Sequence, residues 1–386
     1  MQRRLFLLSS FTALLMGSAM AYTTKELFSV RTDEPEGFER KDLSAFGGSF
    51  DFSAVVHHDM TIWHSDGQPE EGEASLRIYF PERRDELMIE GYRFQFPSFA
   101  QAVLAGHGFL ANRGYEKIIR DLERSNHIFS LLAAVQTDET GAYKKMARLA
   151  AISQGKDVLI LYAELDYDDY EKYEPVLSRF FGTITMKDDI SPADGLRSVN
   201  APSGETFLIP DGWVLSEPAG AAAPIKDYKL NLAADQEYPN IVLQIRPGDI
   251  EKGREIGTTM VKEFTEQIEA SGKADFVTEA EMQTKKRSSG ETYAHSYARG
   301  WDVRESKVPM LTQILVQQNN SPKSISIITF DGYDSLRKAG SFSPEDHDQL
   351  YKYWVTGGSA FALVQLSLAD GVESVKADLS VRALGH

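Results

Sequence analysis

The stretch Phe207-Leu208-Ile209-Pro210-Asp211-Gly212-Trp213-Val214-Leu215 sets three apolar residues before a Pro-Asp-Gly step and resumes with an indole and two aliphatic side chains. Proline presets the backbone angle of a turn and glycine supplies the left-handed freedom a reversal needs, so the segment reads as strand, turn, strand. Downstream, residues 227–232 and 241–245 continue as strands. Residues 258–270 carry Val261, Phe264 and Ile268 at helical spacing, a face fit to cover a sheet. Two hairpins follow, 276–286 with 291–297 around Arg287-Ser288-Ser289-Gly290, and 310–316 with 324–330. Ser343-Pro344 starts a helix over 344–354, Gly357-Gly358 is expected to end it, and the apolar residues 360–368 predict a covered final strand. A further short strand-like segment is expected after Asp370-Gly371.

Upstream, the same reading gives strands at 50–56, 59–63 and 74–80. Ser98 with Gln101 forms a capping-box pattern for a helix over 99–110, and Tyr115, Ile118, Ile119 and Leu122 place a second helix at 115–122. Strands are expected at 127–136, 142–153 and 157–162. A helix near 169–181, with an aromatic stripe of Tyr170, Tyr173, Phe180 and Phe181 and a shortening Pro175, closes this half. Hairpins outnumber the crossovers that parallel strands require, so the fold class is α+β, with largely antiparallel sheets covered by helices. Turn formers in Ser191-Pro192-Ala193-Asp194-Gly195 and Asn200-Ala201-Pro202-Ser203-Gly204 mark 191–205 as a linker with a boundary near Val199. The expected division is a signal at 1–21, an arm at 22–50, a first α+β domain at 51–190, the linker, and a second α+β domain at 206–386.

With the Phe207–Trp213 turn followed by Ile241-Val242-Leu243-Gln244-Ile245, the second half resembles the Mog1/PsbP-like family over residues 205–330. The 162–181 ending of the first half loosely looks like that family's strand-to-helix close, so two Mog1/PsbP-like domains in tandem are an expectation of the resemblance. It implies antiparallel strands, a helix after the early strands, and an adaptor, assembly factor or partner-binding scaffold. It supplies no catalytic set. Pro210, Gly212 and Trp213 have a packing role in that reading, with Trp213 also the candidate binding residue for a ligand.

The chain has 386 residues, 57 Asp and Glu against 41 Lys and Arg, and no cysteine. Thiol nucleophiles, disulfides and cysteine-ligated zinc or iron–sulfur centres are excluded. Arg3-Arg4 precede an apolar run, and Ala19-Met20-Ala21 supplies the small residues of a cleavage site. This is the pattern of an export signal, with an order similar to the twin-arginine form. A bacterial periplasmic or secreted protein is expected, with no integral membrane segment after signal removal. The formal charge of -16 disfavours nucleic acid and anionic lipid as partners.

Four residues could hold a divalent transition metal: His57, His58 and Asp59, with His64 nearby. On one continuous strand His58 and His64 would stand about 20 Å apart, so a metal centre needs a bend there. Glu164, Asp166, Asp168 and Asp169 form an acidic step that lacks the glycine of a calcium loop and suits a helix start. Glu345 and Asp346 likewise suit a helix start. His295 has no nucleophile motif beside it, Gly357-Gly358-Ser359 is insufficient as one, and Lys285-Lys286-Arg287 reads as a solvated hairpin end. No cofactor is assigned with this pattern beyond the candidate metal. The sequence therefore points to an exported non-enzymatic protein that binds an envelope or secreted partner. The alternatives are a periplasmic metal-dependent hydrolase using the His57 region and a small-ligand-binding protein.

Overall fold

The computed structural model describes residues 30–65, 69–70, 72–115, 117–121, 125–187, 195–201, 204–216, 226–232, 239–271, 276–286, 292–303, 309–320, 324–333 and 344–379. The export segment 1–21 and the turn 287–290 lie outside them. The chain falls into two compact units: Met1–Gln95, Ala100–Pro192 and Asp378–His386 in the first, Phe96–Phe99 and Ala193–Ala377 in the second.

In the first unit, β1 (Phe38–Ala45) pairs antiparallel with β2 (Phe50–His57), and the short β10 (Thr185–Met186) joins the other side of β2. A second sheet holds β3 (Thr61–His64), β4 (Ala74–Tyr79), β5 (Met88–Gln95), β6 (Lys117–Arg120), β7 (Phe129–Thr137), β8 (Tyr143–Gln154) and β9 (Asp157–Asp166). Its order is β3-β4-β5-β9-β8-β7-β6, antiparallel throughout. Helix α1 (Ala102–Asn112) packs on β7 and β8, and α2 (Tyr170–Gly182) packs on β2 and β8. Successive side chains of β8 separate the two helices: Leu149 and Ala151 meet α1 at Gly106, whereas Arg148 donates to the Tyr170 hydroxyl of α2 at 2.7 Å. Both faces of β8 are therefore covered, which is why residues 146–153 are buried without alternation.

The second unit repeats this plan. A hairpin of β11 (Leu196–Asn200) and β12 (Thr206–Pro210) precedes a seven-stranded sheet in the order β13-β14-β15-β19-β18-β17-β16. Those strands are Trp213–Ser216, Lys226–Leu232, Asn240–Pro247, Phe276–Lys286, Thr292–Val303, Pro309–Gln318 and Ser324–Tyr333 for β13 to β19. Helix α3 (Ile250–Ser271) falls between the third and fourth strands in sequence, as α1 does, and α4 (Pro344–Asp370) follows the last, as α2 does. Ile256 and Met260 of α3 pack on Ile314, Val316, Ile325 and Ile327. The opposite side of β19 offers Phe330 to Phe361 of α4, ring centroids 6.0 Å apart. A last helix, α5, covers Val372–Leu379.

Several expectations are corrected. Residues 38–45 of the supposed arm are strand β1, and β5 was not foreseen at all. Residues 117–120 form edge strand β6, because Gly114 at φ +82° has already ended α1 and Ile118 and Ile119 pair with β7. Residues 196–200 of the supposed linker are β11, paired with β12. Ser98 does not cap α1; the N-cap is Gln101, without a side-chain cap bond. Gly357-Gly358 does not stop α4, and residues 360–368 are helix rather than strand. A Cβ at Gly357 would stand 2.5 Å from Phe330 Cε2 and 2.7 Å from Pro239 Cβ, so glycine is there to let the helix approach the sheet. Beyond Gly371, at φ +90°, the chain re-enters a helix, α5, rather than a strand.

Alanine in place of a helical glycine normally gains about 1 kcal/mol of propensity. At Gly357 the proline ring cannot move aside, and overpacking of about 1–3 kcal/mol should win. At Gly106 the nearest obstacles are the far ends of Leu132 and Leu149, each 2.8 Å away, which can give in part, with the fixed Ala151 Cβ behind them at 3.3 Å. Gly357→Ala should therefore lower the urea midpoint clearly, and Gly106→Ala should lower it less.

Burial on α1 pulls the His107 imidazole from 6.5 down to about 4. The unfolded chain takes up that proton first, so the stabilisation is full above pH 6.5 and is lost as pH falls towards 4, by roughly 3 kcal/mol at most. His107→Leu should flatten that part of the curve of unfolding free energy against pH.

Candidate functional site

Strand β2 ends at His57, and the chain turns sharply before β3 begins at Thr61. The turn is closed by the Met60 amide donating to the His57 carbonyl at 3.0 Å. The His58 amide donates to the Gly37 carbonyl at 2.9 Å, which ties the turn to the start of β1, where Gly37 has φ +89°. This bend does what an extended strand could not: one potential ligand atom from each of His57, His58 and Asp59 lies within 4.8 Å of the others. His57 stacks on His58 with centroids 4.8 Å apart and meets Phe38 edge-on at 4.9 Å. His64 stands at the far end of β3, paired with Leu76, outside the group.

The hydrogen bonds show what a cation would displace. The Asp59 amide donates to His57 Nδ1 at 3.2 Å, and His58 Nε2 lies 3.1 Å from Asp59 Oδ1. A neutral His57 with Nδ1 as acceptor carries its proton on Nε2. Ligation through either nitrogen thus costs a hydrogen bond or a tautomer change. Burial holds the His57 imidazole below its ordinary pKa, with Asp59 opposing the shift and His58 adding to it. The neutral, ligating form is favoured.

The acidic step does not converge. Glu164 lies on β9 and accepts from the Tyr115 hydroxyl at 2.7 Å and the Tyr162 hydroxyl at 2.6 Å, and it pairs with Lys145. Burial pushes its carboxyl up, but these three donors outweigh burial and hold it below the usual range. Asp168 and Asp169 sit in the 3₁₀ turn that leads into α2. A carboxylate engaged by three donors is not free to act as a base, and its tyrosine partners are shifted upward by burial first. Side chains of His295, Glu345 and Asp346 lie outside the description, and Ser359 donates to the Val355 carbonyl within α4.

Trp213 is 1% exposed. Its indole Nε1 donates to Ser98 Oγ at 3.0 Å, and its carbonyl accepts from Arg197 Nη2 at 2.7 Å. Packing therefore accounts for the residue. Sequence reasoning missed a groove of about 580 Å³ at the first unit's sheet edge, lined by Trp63, Ser65, Pro69, Arg77 and Tyr92 among others. The Arg77 guanidinium lies 5.1 Å from the Trp63 ring centroid and donates through Nε to Glu90 at 3.0 Å, while the Tyr92 hydroxyl donates to the same carboxylate at 2.6 Å. Burial, then Glu90, pushes Tyr92 up to about 12. The alternation Glu90-Gly91-Tyr92-Arg93-Phe94 was the available signal for β5.

The sequence matches no protein-family model and no curated protein. Among solved structures, cyanobacterial PsbP from Synechocystis is 13% identical with a TM-score of 0.27, over 43% of this chain and 91% of that one. The Saccharomyces cerevisiae Ran-binding protein Mog1p is 11% identical with a TM-score of 0.25, over 47% and 97%. A Bacteroides thetaiotaomicron protein is 12% identical with a TM-score of 0.25, over 58% and 61%. The likeness to Mog1/PsbP-like folds is distant and covers part of the chain. Among the described residues, no helix is long and apolar enough to cross a membrane.

Titration with Zn²⁺ checks the histidine turn. His57→Ala and His58→Ala should each weaken binding at least tenfold, whereas His64→Ala should leave it unchanged.

Proposed function

We propose that this chain is an exported, non-enzymatic protein-binding or assembly factor, built from two Mog1/PsbP-like modules, that takes an extended segment of an envelope or secreted partner onto edge strand β3. One observation carries this reading. Among the described residues the exposed large apolar side chains are Trp63, at 39%, and Val214, at 47%, and they lie on β3 and β13. Those two strands hold the same edge position in two sheets of the same order.

An edge strand presents unpaired amides and carbonyls, and proteins usually blunt such an edge with lysine, proline or a cover. Thr61-Ile62-Trp63-His64 carries neither lysine nor proline and adds an exposed indole, the side chain most often found at the energetic centre of interfaces. A partner strand beside β3 would gain main-chain hydrogen bonds, and the adjoining groove could seat one of its side chains. The export pattern of Arg3-Arg4 and Ala19-Met20-Ala21 supports a partner outside the cytoplasm.

Affinity isolation from native periplasm with the wild-type chain and with Trp63→Ser tests the reading. A specific protein should be recovered by the wild type and lost by the variant, and those amides of Thr61–His64 that point away from β4 should gain protection from hydrogen exchange in the recovered complex. Equal recovery by both baits, or no specific protein, would overturn it.

A further inference from the structure

The second unit carries a groove of about 540 Å³ where the β11–β12 hairpin meets the end of α4. Glu205, Thr206, Asn320, Ser367, Asp370 and Glu373 contribute to its lining. Its charged lining residues are all acidic, and neither lysine nor arginine is among them.

The surrounding polar groups are mostly accounted for. Thr206 Oγ1 donates to Asn200 at 2.8 Å, Ser367 Oγ accepts from the Leu208 amide at 2.9 Å and donates to the Leu363 carbonyl, and the Asn320 amide donates to the Leu368 carbonyl at 2.7 Å. Asn319 is fixed by Ser324 and Ser326. The groove is thus a held shape rather than a loose gap.

Glu205 is the exception. It is 6% exposed, and its Oε2 has no hydrogen-bond partner among the described residues. The backbone fixes it there, because the Ala201 amide donates to the Glu205 carbonyl at 2.7 Å and so closes the hairpin loop. A buried carboxylate oxygen without a donor is costly, and the neighbouring Asp370 carboxylate raises that cost, whereas Glu373 is partly compensated by Lys376 Nζ at 3.2 Å. The carboxyl end of α4, a helix of 27 residues, adds the negative pole of its dipole on the same side. The opposing positive pole of α5 is already met by Glu373 in its first turn. The unpaired Glu205 oxygen, Asp370 and the α4 terminus together favour a cation that brings N–H donors.

A bare metal ion is the weaker match. Among the described residues, the carboxylates here are not gathered as a group of potential metal ligands, whereas the two imidazoles and one carboxylate of the His57 turn are. The volume instead suits the end of a flexible organic cation.

We propose that this groove binds a guanidinium or ammonium group, with Glu205 as the buried anchor and Asp370 and Glu373 as the acidic rim. The group could arrive on an arginine side chain or on a free polyamine. The proposal does not depend on the β3 edge reading.

Calorimetric titration of the full chain at low salt with argininamide, citrullinamide and spermidine tests it. Citrullinamide keeps the shape of argininamide but replaces the guanidinium with a neutral ureido group. At least one of argininamide and spermidine should bind, citrullinamide should bind at least tenfold more weakly than argininamide if argininamide is the ligand, and binding should weaken as salt rises. Argininamide binding assigns a side chain as the source, and binding of spermidine alone assigns a free polyamine. Glu205→Gln should reduce affinity at least tenfold with an unchanged near-ultraviolet dichroism spectrum. Glu373→Gln, at an exposed position where folding is not at risk, should reduce it about threefold. Trp63→Ser should leave it unchanged. No binding by either cation, equal binding of argininamide and citrullinamide, or full affinity in both glutamine variants would overturn the proposal.

Discussion

The arrangement of the first unit depends on the register between β8 and β9. Gln154 pairs with Asp157, so only Gly155 and Lys156 remain to make the reversal, with Gly155 at φ +68°. A two-residue connection leaves no slack for slippage. From it follows that Tyr162 and Glu164 share a face with the start of β8 where Lys145 can reach them, and that Leu149 and Ala151 meet α1 while Arg148 meets α2. A slip of one residue would send every one of these side chains to the opposite face. The faces that the two helices cover are thus set by the register of that hairpin.

The second unit reaches the same order with different residues. The seven strands correspond position for position, a helix follows the third, and another follows the last. The means differ in detail: α1 lies close to its sheet through Gly106, whereas α4 does so through Gly357 against Phe330 and Pro239. In both units a helix crosses strands buried on two faces, and in both a glycine removes the atom that would hold the layers apart.

Much of this was legible in the sequence, because hairpins announce themselves through alternation and turn chemistry. The strands of residues 127–162 and 276–330 fell close to their expected places for that reason. The failures have physical causes. An apolar run such as 360–368 satisfies a covered strand and a buried helix alike, and Gly357-Gly358 tipped the reading because its packing role needs Phe330, which is distant in sequence. Residues 115–122 had helical spacing, but Gly114 and pairing with β7 overrode it. His57, His58 and Asp59 were visible as ligand types, yet their convergence rests on a turn that spacing does not encode. Glu205 gave no signal: one glutamate after a Pro-Ser-Gly step looks like solvated surface until α4 closes over it.

The contrast between Trp63 and Trp213 also makes the molecule self-reporting. One indole faces water beside a guanidinium, and the other is buried with its N–H held by Ser98. Their excited states sense different surroundings, so a water-borne quencher reaches the first and spares the second. With Trp301 and Trp354 replaced by phenylalanine, the two remaining indoles would give separate optical signals for the outer edge and for the turn on which the second sheet is founded.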